Sequence, residues 1–397
     1  MAYALSHRRA GVAAALAAVA FAGACGGSST SNTASGNNSN QAPTTSSGNS
    51  SADQAVLDQV YKGTLTSPDP TSRPAVKGKK IVIISGGQSS ISSSVPVNAA
   101  ADAARKIGWK VTIYDSQLNP ANLPSLVSQA IASGADGIVA DFDCYNAKAQ
   151  LEQAKAKHIV VVPIYAYDCN DPFAGKPGTP PLWTGYPNYG AAANKNLGAF
   201  AEQYGFAQGQ AAIAATGGKA KVVFFNDLEA TVLYYTGTGF KNAIKQCSGC
   251  KIVDEIDFKG LDLGPTLQQR AATAILQHPE ANVVKSPFTA ATLLSIAPAV
   301  QQSGRESKLY VMGGEGFQPE LDLIRNHQGV NAVMISPSDW TGWAAIDTMN
   351  SLFRGEKPAF SGLGWQLVDP THNMPASGPW KSPVDFEAIY EKAWGVS

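Results

Sequence analysis

Lys80-Ile81-Val82-Ile83-Ile84-Ser85 is an almost unbroken apolar, β-branched run, followed by the Gly/Ser-rich turn Gly86-Gly87-Gln88-Ser89-Ser90 and an Ala-rich segment at 98–107 that stops at Gly108. A strand apolar at every position has no face to offer water, so it belongs in a sheet covered on both sides, and such sheets are parallel. Working outward, the same unit recurs. Strands are predicted at 110–114, 137–140, 159–164, 221–225, 251–258, 282–286, 308–312 and 330–335. Amphipathic segments lie between them, for example 125–132 before Ser133-Gly134 and 290–302 before Ser303-Gly304, with glycine near each end as a helix stop. Strand–helix–strand alternation throughout predicts a doubly wound α/β fold. Ligands of such sheets lie beyond the carboxyl ends of the strands.

Upstream, the chain changes character. His7, Arg8 and Arg9 precede an apolar, Ala-rich run at 11–24, shorter than the ~20 residues that span a bilayer. The run ends Ala22-Gly23-Ala24-Cys25, which resembles a bacterial lipobox. We expect a signal peptide at 1–24, a lipid on Cys25, and the outer face of the cell membrane as the protein's location. The alternative is an ordinary signal peptide cut near Ala24, with Cys25 incidental. A Ser/Thr/Asn/Gly-rich stretch to about residue 51 has too few large apolar residues to form a core. It fits a leash reaching ~30 Å. The expected polar linker covers 25–76, with a short helix near 55–61.

About 320 residues remain, which suits two lobes. Thirty basic side chains balance thirty acidic ones, so nothing favours a nucleic-acid partner. Besides Cys25 there are Cys144, Cys169, Cys247 and Cys250, an even number in an exported chain. Three pairings are possible. Cys144 and Cys169 each follow a predicted strand at equivalent ends, and Cys247-Ser248-Gly249-Cys250 sits in a tight turn, so we favour Cys144–Cys169 and Cys247–Cys250. A redox or half-metal site at Cys247/Cys250 is the rival, but no second such pair or neighbouring histidine supports it. The chain lacks a P-loop, H-E-x-x-H and G-x-S-x-G, and carries no cofactor fingerprint.

From about residue 79 to 367 the chain resembles the type I periplasmic binding proteins, in the ribose/galactose-binding branch of sugar ABC transporters. The resemblance rests on the order of Gly134-Ala135-Asp136-Gly137-Ile138-Val139-Ala140, His158-Ile159-Val160-Val161-Val162, Gly237-Thr238-Gly239-Phe240-Lys241-Asn242-Ala243-Ile244, Val311-Met312-Gly313-Gly314-Glu315-Gly316, and Leu352-Phe353-Arg354-Gly355-Glu356-Lys357-Pro358. It implies two doubly wound lobes joined by a three-strand hinge. Lobe one would be 79–184 with 337–361, and lobe two 185–336 with 362–397. It also implies a monomer without catalytic activity that captures a small molecule between the lobes and delivers it to an ABC permease, or signals to a membrane sensor.

The family's charged ligand-binding positions map onto Tyr165 (followed by Ala166), Thr236, Phe288-Thr289 and Ser336, while the acid of its Gly-aromatic-Asp-Gly turn remains as Glu315. Position adds Gln88, Ser89 and Ser90 after the first strand, Asp141 and Asp143 after the third, Tyr167 and Asp168 after the fourth, and Trp340 at the start of the last crossover helix. Asp141 could instead cap a helix, and Trp340 and Trp343 could be packing residues. The Pro/Gly-rich stretch 170–189 reads as a lid or as a rim ornament. A cleft with fewer charges and more rings suits a neutral or weakly polar ligand such as a modified sugar, a nucleoside-like compound or an aromatic; the resemblance ranks a sugar or sugar derivative first, with an aromatic compound close behind.

Overall fold

The computed structural model describes residues 51–175, 178–190 and 196–396. The expected signal peptide, Cys25 and the linker as far as residue 50 lie outside the described residues. Helix α1 is Ser51–Lys62. It is followed by β1 (Lys80–Ser85), α2 (Ile91–Lys106), β2 (Lys110–Asp115), α3 (Leu123–Ala132), β3 (Gly137–Ala140), α4 (Lys148–Ala156) and β4 (Val160–Pro163). The second run is α5 (Leu197–Ala215), β5 (Lys221–Asp227), α6 (Thr231–Gln246), β6 (Lys251–Phe258), α7 (Pro265–Gln277), β7 (Val283–Lys285), α8 (Thr289–Ala291), α9 (Ala297–Gln302), β8 (Tyr310–Met312), α10 (Gln318–Arg325), β9 (Val333–Ile335), α11 (Ser338–Phe353), β10 (Gln366–Val368) and α12 (Phe386–Trp394). Two parallel four-stranded sheets result, ordered β2-β1-β3-β4 and β6-β5-β7-β8. The fold is the expected doubly wound α/β.

The register shows why the apolar runs decided it. Ile81, Val82, Ile83 and Ile84 are fully buried, and each lies between a residue of β2 and one of β3. Alternate side chains feed two different cores. Ile81 and Ile83 face α2 and α11, while Val82 and Ile84 face α3 and α4. Helix α2 begins earlier than the sequence suggested and runs through Pro96, whose missing N–H removes one bond from its second turn. The 290–302 helix starts at Thr289 and contains one π-helical segment, Thr292–Ile296.

Three crossings join the lobes: the chain after β4, the Ser336-Pro337 step from β9 into α11, and the return from α11 to β10. The first and third run side by side, with Asn188 bridging Phe360 and the Asn188 carbonyl accepting from the Ser361 N–H at 2.9 Å. Beyond them β10 pairs antiparallel with β9.

Two expected boundaries are corrected. Residues 362–397 do not all belong to lobe two. β10 does, but α12 packs on α11 of lobe one, where Trp340 stacks on Phe386 (centroids 4.8 Å apart) and Trp343 on Trp394 (5.4 Å). Nor is 51–76 a loose linker. α1 packs on α5 and β10 through buried Leu57 and Val60, each contributing ~1.5–3 kcal/mol. The chain then runs as a strap along the third crossing. The Thr64, Thr66 and Asp69 N–H groups donate to the carbonyls of Trp365, Gly362 and Phe360, and those of Arg73 and Ala75 donate to Ala393 and Trp394. Gly362, at φ +74°, allows this approach, since a Cβ there would sit 2.2 Å from the Thr66 carbonyl oxygen. Arg73 completes the strap with a buried ion pair to Asp347 at 3.1 Å. Among the described residues no helix is long and apolar enough to cross a membrane.

Candidate functional site

Parallel strands end on the same side of their sheet, so the loops after β1, β3 and β4 of lobe one meet those after β5, β7 and β8 of lobe two. The lobes touch there. Asp143, buried after β3, accepts from the Tyr167 N–H at 2.8 Å through Oδ1 and from the Thr231 hydroxyl of lobe two at 2.6 Å through Oδ2. Tyr167 stacks on Tyr235 of α6 with centroids 4.9 Å apart. The Tyr235 hydroxyl donates to Asp171 Oδ2 at 2.8 Å. Burial raises Asp143 to about 6, despite the donors it receives.

Two residues before Asp143, Asp141 Oδ2 accepts from the Gly86 N–H and the Ser93 hydroxyl, tying β3 to the start of α2 rather than capping its own helix. Burial pushes it up to about 7. Tyr165 adopts φ +48°, a conformation costing of order 1–3 kcal/mol for a non-glycine residue. Its hydroxyl reaches Thr341 at 3.0 Å, which fixes the ring against the start of α11. Burial, with a contribution from the Glu315 charge, holds that hydroxyl up near 12. The Tyr167 hydroxyl and the Ser336 Oγ are buried with no hydrogen-bond partner among the described residues. Such groups cost about 1–3 kcal/mol each unless something pairs with them.

On lobe two, Glu320 is fully buried and organises the Gly-rich turn. It accepts from the Gly314 and Gly316 N–H groups and from the Thr289 hydroxyl. Glu315 is less buried and accepts from the Thr289 N–H at 2.6 Å. Buried Lys285 at the end of β7 donates to the Ser286 carbonyl beside these two acids. Burial lowers it to about 8, against the pull of Glu320 and Glu315.

Asp141, Asp143, Tyr165, Tyr167, Thr289, Glu315 and Ser336 thus lie at the facing strand ends of the two lobes. Of the other sequence candidates, Gln88, Ser89 and Ser90 lie in the loop after β1 on the same side, and the rest make contacts of other kinds. Gln88 is turned back onto Ser85 and Asp115, Ser89 is exposed, and Ser90 precedes the first turn of α2. The Asp168 carboxylate accepts from the N–H groups of Cys169, Leu182 and Trp183, so it ties down the 170–189 stretch. Thr236 lies on the α5 side of α6, against Gly205, with its hydroxyl bonded to the Leu233 carbonyl. Phe288 packs toward Phe258. Trp340 is fully buried between α11 and α12. Both disulfides have the favoured pairing, Cys144–Cys169 and Cys247–Cys250. Cys144, Cys169 and Asp168 cluster as metal ligands might, but the sulfurs are bonded to each other and the carboxylate is occupied.

Sequence reasoning missed Thr231, Tyr234, Tyr235 and Phe173. The signal was positional: Thr231, Tyr234 and Tyr235 follow β5 and Phe173 follows β4, at the strand ends where the lobes face each other. The 170–189 stretch divides in two. Phe173, Ala174, Gly175 and Thr179 face a cavity of about 880 Å3 at the cleft mouth. Trp183 packs edge-on against Phe142 in the lobe-one core. Across the cavity stand Asp227, Leu228, Glu229 and Tyr234 of lobe two.

The family described as periplasmic binding protein domain matches residues 81–357. No curated protein matches the chain. Among solved structures, the chain is similar to GanP, a glucose-galactose binding protein from Geobacillus stearothermophilus (TM-score 0.61, 19% identity, 75% of this chain and 99% of that one). It is similar to an ABC transporter solute binding protein from Burkholderia graminis C4D1M in complex with D-arabinose (0.61, 18%, 76% and 98%). It is also similar to the 5-methylthioribose transporter solute binding protein from Thermotoga lettingae TMO in complex with 5-methylthioribose (0.61, 16%, 82% and 100%). With two parallel-sheet lobes, three crossings and a cleft between the strand ends, the chain belongs to the periplasmic binding protein family, as a type I substrate-binding protein and not an enzyme.

Proposed function

We propose that this protein is the extracytoplasmic receptor of an ABC importer, held at the outer face of the membrane by a lipid on Cys25, and that it closes around a sugar or sugar derivative. The observation that carries the reading is the set of rings and carboxylates at the facing strand ends of the two lobes: Tyr165, Tyr167, Asp141 and Asp143 on lobe one, Tyr235 and Glu315 on lobe two. Ring faces pack on the C–H face of a sugar, and carboxylates accept its hydroxyls in the stronger, charge-assisted kind of hydrogen bond. The unpartnered hydroxyls of Tyr167 and Ser336 are further groups a polyol would satisfy. Lobe closure about the three crossings would enclose the ligand.

A second reading, an aromatic ligand, is favoured by one observation. Tyr167 and Tyr235 come from different lobes and stack face to face, so opening of the lobes would part them and let a planar ring take a place between them. Native mass spectrometry of the purified protein, followed by calorimetry with sugars and planar aromatics, separates the two. Binding of aromatics with no binding of sugars would remove the sugar reading. Mass spectrometry of the N-terminal peptide from membranes tests the anchor, and an unmodified Cys25 would remove it.

A further inference from the structure

We infer that the cavity at the cleft mouth is a second subsite, which takes the aglycone or second ring of a glycoside whose first ring lies deeper, against Tyr165 and Tyr167. The inference rests on the sugar reading above and extends it to the class of sugar derivative.

Exposed apolar side chains come first. Among the described residues, Tyr145, Phe173, Leu228 and Tyr234 are large, apolar and exposed, and all four line this one cavity. Phe173 is 52% and Tyr234 43% exposed, although the two rings touch with centroids 4.0 Å apart. Apolar surface clustered in this way marks a binding site more often than chance exposure does.

The cavity is also the right size and kind. Its volume of about 880 Å3 falls within the range of about 300–1,000 Å3 of pockets that enclose a small molecule. The buried carboxylate of Asp227 and the side chain of Glu229 stand on the lobe-two wall, so the rings are met by acceptors for hydroxyl groups.

A ladder of touching rings links the cavity to the contact between the lobes behind it. Tyr167 stacks on Tyr235, Tyr235 meets Phe173 edge-on at 5.2 Å, and Phe173 lies on Tyr234. This ladder runs from the buried cleft to the mouth and alternates between the lobes. The Cys144–Cys169 disulfide holds the lobe-one side together, because Tyr145 follows one half-cystine and Phe173 lies four residues after the other. A two-ring ligand would lie along this wall and touch both lobes at two depths. A single ring would leave the outer half of the wall in water.

Calorimetry on the purified protein tests this, using D-glucose, D-galactose, D-ribose and L-arabinose beside phenyl β-D-glucopyranoside, phenyl β-D-galactopyranoside, cellobiose and lactose. We expect at least one glycoside to bind about tenfold more tightly than its parent sugar or better, as a ring stacked on an aromatic face would give. We expect that ratio to fall toward one in Phe173→Ala and in Tyr234→Ala, with thermal melts confirming that both variants fold. Parent sugars that bind as well as their glycosides, or an advantage that survives in both variants, would overturn the second subsite while leaving the sugar reading intact. No binding by any compound in the set would sink the sugar reading and this inference with it.

Discussion

Asp143 of lobe one accepts a hydrogen bond from the Thr231 hydroxyl of lobe two at 2.6 Å, and with its other oxygen it holds the Tyr167 N–H at 2.8 Å. One buried carboxylate therefore links the loop after β3, the loop after β4 and the start of α6. Its protonation state bears on the contact between the lobes.

Burial raises Asp143 to about 6 and Asp141 to about 7, above the value of about 4 expected in the unfolded chain. Between those values the folded protein holds protons that the unfolded chain has released. The stability these groups contribute is fully present below about pH 4 and is lost as pH rises through about 6 to 7. Asn mimics the protonated side chain. The melting temperature of Asp143→Asn minus that of the wild type should therefore become more positive, by a few °C, between pH 4.5 and 7.5. Thermal melts across that range decide it, and a difference that stays flat or falls would refute the assignment.

Arg73 and Asp347 form a buried ion pair, and Trp394 Nε1 donates to the same Asp347 oxygen at 2.8 Å. Removing the cation alone leaves a buried charge. We expect Arg73→Met to cost about 3–5 kcal/mol in urea unfolding, and Arg73→Met with Asp347→Leu to recover most of it. A double variant as unstable as the single would mean that strap packing, not charge, carries the effect.

Cys144–Cys169 joins residues 25 apart and Cys247–Cys250 residues 3 apart. In the chain-entropy model, replacing each pair by serine should cost about 3 and about 2 kcal/mol. Chemical denaturation gives the order. Peptide mapping without reduction that found free thiols at all four positions would remove the premise.

Glu320 and Glu315 lie in the same turn but should behave differently when replaced. Glu320→Ala strands the N–H groups of Gly314 and Gly316 and the Thr289 hydroxyl, and should destabilise by about 2–5 kcal/mol. Glu315→Ala loses one bond from the Thr289 N–H and should be milder in stability. It should weaken ligand binding by about 1.5–3 kcal/mol, the worth of a hydrogen bond to a charged group. Unchanged affinity in calorimetry would reduce Glu315 to a fastener of the turn.

The fold was legible because it depends on local pattern. Four consecutive buried residues in β1 can be read from Ile81-Val82-Ile83-Ile84 alone. The docking of α12 was not, since Phe386, Tyr390 and Trp394 show only that a helix has an apolar face. The partners of that face, Trp340 and Trp343, are about fifty residues away. The site was half legible for a geometric reason. A helix turns 100° per residue, so the Thr236 hydroxyl turns back onto the Leu233 carbonyl while the ring of its neighbour Tyr235 reaches Tyr167 of the other lobe. Loop residues after strands have no such phase, and Asp141, Asp143 and Glu315 could be placed by order alone. The function of Asp168 was hidden because its partners, the Leu182 and Trp183 N–H groups, are backbone atoms that leave no trace in residue type.

Helix α1 is fastened to lobe two, while the strap that follows it ends on lobe one. Any load on the chain upstream of residue 51 is therefore taken up by lobe two before it reaches the hinge. In the anchored receptor proposed above, lobe two would thus be the half held by the anchor and lobe one the half free to swing.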